Sequence, residues 1–199
     1  MGKEYPISFE VQGHAAMFTR PDAGSAPVSY PAPTFSAVKG MFESVVRMQS
    51  AYIKPVRVEI CRPIVYHRYF NNYGGPLRKA NTRNFQLAAT ILVDVCYKVY
   101  GIVEEIGKAP YGNNHCHALQ EIFIRRLKQG SFYYTPCLGW KEFVPTYFSL
   151  LRDSTTVDKS INMVIPSMLY SMFDKPGNGN IQPLFKQNVE IVEGVLNYD

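Results

Sequence analysis

The sequence predicts an α+β fold in the order β-α-β-β-α-β over residues 1–148, followed by a small antiparallel β annex over 149–199. Two patterns carry that expectation. Apolar and polar residues alternate with period two in 7–11 and again in 91–100, as half-buried strands require. In 35–48 and 117–129 the apolar residues instead recur at steps of three and four, which gathers them on one stripe of a helix.

In the first strand Ile7, Phe9 and Val11 face one way, and Ser8 and Glu10 the other. A Pro-rich loop follows, and the first helix covers about 35–48, with Thr34 or Ser36 as its N-cap. The second strand covers about 54–66, where Val56, Val58 and Ile60 alternate with Arg57, Glu59 and Cys61. Pro63 has no N–H to give a ladder, so the strand bulges or lies at an edge there. Residues 67–85 read as a long loop, a length that in a compact domain usually serves function. In the third strand Ile91, Val93, Val95, Tyr97 and Val99 share a face. The second helix covers about 117–129, with Leu119, Ile122, Phe123 and Leu127 on its stripe and Gly130 ending it. A fourth strand falls within 133–148, and apolar pieces at 163–172 and 189–196 build the annex. The first six elements have the order of the split βαβ, or ferredoxin-like, arrangement. RNA-recognition motifs share it and stack bases on sheet aromatics.

Composition narrows the function classes. With 199 residues, 46% hydrophobic and 19% charged, the chain can bury a core without staples. Its four cysteines form no CxxC pair, which fits reduced thiols and excludes a disulfide framework. No apolar run reaches the roughly 18–20 residues that span a bilayer, and the first residues show no apolar signal segment. These features predict a cytoplasmic protein with no membrane partner. The net charge of +5 favours a polyanion. The excess is uneven: residues 1–150 carry 17 Lys/Arg against 10 Asp/Glu, and residues 151–199 carry 4 against 6.

Three groups of residues point to RNA. The loop-to-helix passage 18–46 places Arg20 before a helix start and Lys39 in its second turn, where N–H groups and dipole favour an anion. Residues 54–83 hold seven basic side chains against one acid, among them Arg62, Arg68, Arg78, Lys79 and Arg83, interleaved with His67, Tyr69 and other aromatics. Cations track phosphates while aromatic and guanidinium planes stack on unpaired bases. Arg125 and Arg126 sit late in the second helix, where they also suit its C-terminal dipole. Trp140 offers a stacking plane and Lys141 a cation beside it.

Several blocks also resemble the CRISPR-associated Cas family-five proteins, in particular their subtype I-C branch. The blocks are Phe18-Thr19-Arg20-Pro21, Pro33-Thr34-Phe35-Ser36-Ala37-Val38-Lys39-Gly40, the 86–97 strand, Phe123-Ile124-Arg125-Arg126-Leu127 and Pro136-Cys137-Leu138-Gly139-Trp140-Lys141-Glu142-Phe143. Met168-Leu169-Tyr170 and Glu193-Gly194-Val195-Leu196 resemble the family's C-terminal sheet. The resemblance implies a ferredoxin-like domain with a β annex that grips the 5′ handle of CRISPR RNA. It implies as partners the backbone subunits that coat the spacer and the large subunit of a type I interference complex. For the I-C branch it implies cleavage of repeat RNA with neither metal nor cofactor, by a Tyr in the first helix and a Lys-His pair before the second. Counted from Lys39-Gly40, the Tyr position falls on Val46. Counted back from Phe123, the pair falls on Ala118-Leu119, or on Cys116-His117 if two residues are inserted. His117 is therefore the candidate general acid or base, with His115 second, and a polar helix start accounts for both equally. A metal site from His115, Cys116 and His117 would lack the separated ligand pairs that zinc takes. Three readings remain: a processing endoribonuclease, a non-catalytic handle-binding scaffold, and a general RNA-binding module.

Overall fold

The computed structural model describes residues 4–73, 85–106, 114–175 and 179–198. Its elements are β1 (Pro6–Ala16), α1 (Phe35–Val45), β2 (Ala51–Ile60), β3 (Val65–Tyr73), β4 (Phe85–Glu105), α2 (His115–Gln129), β5 (Tyr147–Ser149), β6 (Met163–Phe173), β7 (Ile181–Val192) and β8 (Val195–Asn197). The fold is α+β. The strands join in one antiparallel sheet of order β5-β1-β4-β2-β8-β7-β6, with β3 added to β4. Because β8 pairs with β2, the C-terminal hairpin β6–β7 continues the sheet that β1 begins.

Both helices lie on one face, where Phe9 of β1 meets Phe42 of α1 edge-on at 5.1 Å and Phe123 of α2 at 6.3 Å. Phe148 stacks on the same ring at 4.5 Å. Glu10 and Gln12, alternating with Phe9 and Val11, face the other way, where Glu10 meets the 150–160 segment through Arg152 and Thr155 and the Gln12 amide donates to the Cys96 sulfur.

Several elements differ from the sequence expectation. The first helix stops at Val45, three residues early. Val46 is extended (φ −153°, ψ 138°), and the Arg126 guanidinium donates to the Val45 carbonyl at 2.9 Å, ending the helix from outside. The strand expected over 54–66 is two strands. β2 ends at Ile60, the chain turns a corner containing Pro63, and it re-enters as β3 along the same edge of β4. The expected loop 67–85 is thus strand through Tyr73, and 74–84 lie outside the described residues.

β4 is 21 residues long, twice the expected run. Its alternation breaks at Asp94, which has φ +52°, a left-handed conformation that Asp tolerates better than most side chains. Val95, Tyr97 and Val99 therefore join the main core together with Leu92, while Ile91 packs in a second cluster with Met17 and Ala89, and Val93 leans on it. Ile91 and Val93 do not share the face of Val95. The fourth strand is only Tyr147–Ser149, because Pro136, Gly139 and Pro145 keep most of 131–146 in turns. α2 begins at His115, two residues earlier than the periodicity suggested, because the Asn114 side chain caps it by accepting from the His117 N–H at 3.0 Å. Gly130 ends it at φ 64°, its N–H donating to the Arg126 and Leu127 carbonyls.

Candidate nucleic-acid interface

The helix entry that sequence reasoning offered to phosphate has other occupants in the structure. Thr34 caps α1 by accepting from the Ala37 N–H at 3.2 Å. Ser36 instead donates to the Tyr170 carbonyl on β6 at 2.9 Å. Phe35 stacks on Tyr170 at 4.2 Å, and the Tyr198 hydroxyl donates to the Pro33 carbonyl at 2.6 Å. The C-terminal hairpin therefore covers this helix start. Lys39 pairs with Glu43 one turn on, at 3.6 Å. Arg20 is engaged by Asp22 through Nε at 3.1 Å and Nη2 at 2.7 Å, which raises the guanidinium pKa further.

The face of the sheet away from the helices is not a stacking platform. Arg57 lies over the Tyr100 ring at 4.2 Å, and the Tyr100 hydroxyl donates to Glu59 at 3.1 Å. Lys54 pairs with Glu104 at 3.3 Å, and Lys98 donates to the Thr155 carbonyl at 2.6 Å. Glu10, 0% exposed, accepts from the Arg152 backbone N–H and guanidinium and from the Thr155 hydroxyl. Cations and carboxylates there neutralise one another, and the 150–160 segment covers Glu10 and takes the Lys98 ammonium.

What the structure leaves to solvent is the β3–β4 ribbon. Arg62, His67 and Arg68 are exposed, and none has an ion-pair partner among the described residues. Arg68 sits over the Phe70 ring at 5.1 Å. Tyr69, on the alternate face with His67, meets Phe143 edge-on at 6.0 Å, and Phe143 stacks on Trp140 at 5.8 Å. The Trp140 indole N–H donates to the Thr19 hydroxyl at 3.0 Å, with Lys141 exposed beside it. Thus Tyr69, Trp140 and Lys141, far apart in sequence, gather at the ribbon's root, with Arg20 one residue from the Trp140 contact. Arg78, Lys79 and Arg83 lie outside the described residues.

The candidate catalytic histidines are elsewhere. They open α2, beside the far end of β4; from Ile91 to Val103 is twelve residues, about 40 Å of strand. His115 is buried at 4% exposure, and its Nε2 has no hydrogen-bond partner in the described structure. His117 is exposed, its ring 5.9 Å from that of Tyr5, whose hydroxyl meets the Asn114 amide. A cleft of about 430 Å³ runs along Tyr5, Glu104, Glu105, Asn114 and Cys116. Burial, aided by Glu105 and Glu104, pushes the Cys116 thiol up. Successive helix positions 115, 116 and 117 diverge by about 100° each, so they cannot close on one ion. Val46 is buried and lines a separate groove of about 890 Å³ with Lys39, Glu43, Arg47, Tyr52 and Tyr133. Arg126 serves the end of α1, as described above, while Arg125 is exposed.

A family model described as CRISPR-associated protein (Cas_Cas5) matches residues 7–161. The chain belongs to the Cas5d family. Over 90% of its length it is 28% identical to the "CRISPR pre-crRNA endoribonuclease Cas5d" of Thermus thermophilus, covering 85% of that protein. It is also 28% identical over 74% of its length to the protein of the same name from Mannheimia succiniciproducens, covering 73% of it. A solved structure titled "Crystal Structure of CRISPR-associated Protein" superposes with a TM-score of 0.70 at 17% identity, covering 100% of this chain and 95% of that one, which shows the shared fold.

For this Cas5d-family chain, sequence reasoning missed Tyr5 and Asn114 beside His117, and Phe143 between Tyr69 and Trp140. Asn114 carried a signal, since Asn before a helical run is a cap. Tyr5 and Phe143 carried none, because their partners come through tertiary packing. No helix among the described residues is long and apolar enough to cross a membrane.

Proposed function

We propose that this chain binds CRISPR RNA as a cytoplasmic subunit of a type I interference complex, holding the 5′ handle beside the backbone and large subunits. The observation that carries this reading is the exposed ribbon in a Cas5d-family chain: Arg62 and His67 with the Tyr69–Phe143–Trp140 aromatic cluster and Lys141, and Arg68 over Phe70 on the ribbon's other face. Cations next to aromatic planes are what an unpaired strand needs. The relatives' name, pre-crRNA endoribonuclease, supports the same substrate. We read β1-α1-β2-β4-α2-β5 as the split βαβ unit, consistent with its strand order β5-β1-β4-β2, with residues 149–199 as the appended β part.

Repeat processing is the second half of the reading, and His117 is its candidate residue. Metal-independent cleavage requires a base that takes the 2′-OH proton while the 2′-oxygen attacks phosphorus. An acid then protonates the leaving 5′-oxygen, giving a cyclic phosphate. An exposed imidazole at a helix start suits either proton transfer. The buried valine at position 46 and the buried His115 favour the alternative, a scaffold that binds without cutting. Incubation with the chain's own repeat RNA in EDTA separates the two. Processing predicts one cut with a cyclic-phosphate end, slowed about a hundredfold or more in His117→Ala. Tight binding with no cut would establish the scaffold.

A further inference from the structure

Two free thiols face each other at the corner where β2 gives way to β3. The Cys61 N–H donates to the Cys96 carbonyl at 2.9 Å, extending the register that pairs Ile60 with Tyr97. Antiparallel cross-strand partners point to the same face with Cβ atoms roughly 4.5–5.5 Å apart. A disulfide takes roughly 3.5–4.5 Å, so closure needs a shift of about 1 Å. The Cys61 thiol donates to the Glu59 carbonyl at 3.6 Å and the Cys96 thiol to a Glu10 carboxylate oxygen at 3.8 Å. The Gln12 amide donates to the Cys96 sulfur at 3.2 Å.

The surroundings make the two sulfurs unequal. Cys96 is buried and Cys61 half-buried. A crevice of about 10 Å³, room for about one water-sized molecule, reaches Cys96 between Arg62, Pro63 and Leu92. The charged groups facing the pair are Glu10 of β1, 3.8 Å from the Cys96 sulfur and held by Arg152, Arg62 at the corner, and Lys98 of β4. The neighbouring Cys61 thiol, with help from Gln12 and Arg62, outweighs burial and Glu10 and lowers the Cys96 thiol below the ordinary range. Cys61, beside that sulfur and itself desolvated, is pushed up.

We propose that Cys61 and Cys96 form a peroxide-oxidisable dithiol site that closes into a cross-strand disulfide at the root of the β3–β4 ribbon. The Cys96 thiolate attacks one oxygen of hydrogen peroxide. A sulfur–oxygen bond forms, the oxygen–oxygen bond breaks, and hydroxide leaves beside Arg62 and takes up a proton as water. Cys61 sulfur then attacks the Cys96 sulfenic acid, forming the sulfur–sulfur bond, and its proton departs with the hydroxyl as a second water. Peroxide is the two-electron oxidant, and both thiols are oxidised. A structural role for the pair would leave the thiols in place under the same treatment.

Mass spectrometry after mild peroxide and alkylation of the folded protein tests this. The expected result is loss of two hydrogens and of two alkylatable thiols, with a 61–96 cross-linked peptide, Cys116 and Cys137 still alkylated, and reversal by dithiothreitol. The Cys137 thiol is raised by burial, so Cys96 should be oxidised ahead of Cys137 near pH 7, larger thiolate fraction outweighing lower intrinsic nucleophilicity. In Cys61→Ser, which spares the buried partner, peroxide should add one oxygen to Cys96, read as a gain of about 16 Da on its peptide, and the cross-link should vanish. Four alkylatable thiols after treatment, a cross-link to Cys137 instead, or a Cys61→Ser protein with no oxygen added at Cys96 would each overturn the proposal.

Discussion

Gly139→Ala is expected to lower stability by about 3 kcal/mol, roughly 10 °C in melting temperature for a chain of this size. Gly139 has φ +90°, and a Cβ there would stand 1.8 Å from the Met17 carbonyl oxygen and 2.6 Å from its carbon, both backbone atoms. Neither can swing aside, because the Met17 N–H is bonded to the Leu138 carbonyl at 2.9 Å. The 138–143 turn must then lift from the end of β1, carrying Trp140 off Thr19 and Phe143 off Tyr69. Repeat-RNA affinity should fall together with thermal stability. Gly40→Ala is the control: its Cβ meets no atom within 4 Å inside α1, and it should stabilise by roughly 0.5–1 kcal/mol. Differential scanning fluorimetry of the two variants checks both signs.

Glu10→Ala is expected to cost about 3 kcal/mol, the scale for breaking a buried ion pair. Burial alone would raise this carboxyl, but donation from Arg152 and Thr155 outweighs it and sets the pKa below the ordinary 4.5. The sign for stability follows. A group lowered on folding contributes in full above 4.5, and its contribution disappears as pH falls from there through the lowered value. The parent should therefore lose stability on acidification in this window, and Glu10→Gln should show a flatter profile there. Equal slopes for parent and Glu10→Gln between pH 5 and pH 3 would contradict the assignment.

The helices and β1 were legible because each exposes one stripe or face to a single core, so period reports burial directly. Phe35, Val38 and Phe42, or Ile7, Phe9 and Val11, needed no tertiary information. β4 was half legible: before Asp94, Ala89 and Ile91 pack the opposite face into a second cluster, and a left-handed residue inside a strand leaves no mark on composition. β3 beyond Tyr66 reads as loop in the sequence because His67, Arg68 and Phe70 are exposed, and such a ribbon carries little apolar alternation. Among site residues, the ribbon cations were legible from their density. The loss of Lys39 and Arg20 to Glu43 and Asp22 was partly visible in the sequence, as an i,i+4 pair and a neighbour two residues on. The covering of the α1 entry by Tyr170 and Tyr198 was not, since those residues lie more than 130 positions away. His117 sits on α2 as spacing suggested, while Val46 lies just past the end of α1, and burial separates them: Val46 lines a groove as a hydrocarbon, and His117 is open to solvent.

The account rests on the ribbon as the RNA-gripping surface, and the most direct test is the salt dependence of repeat-RNA binding for the parent and for Arg62→Ala/Arg68→Ala. Both side chains are exposed with no ion-pair partner among the described residues, so the double variant should fold with an unchanged circular dichroism spectrum. It should bind roughly tenfold more weakly, and its slope of log K against log salt should be shallower by about 1.4, two phosphate contacts' worth for a single strand. Parent-like affinity and slope in the folded double variant would contradict it.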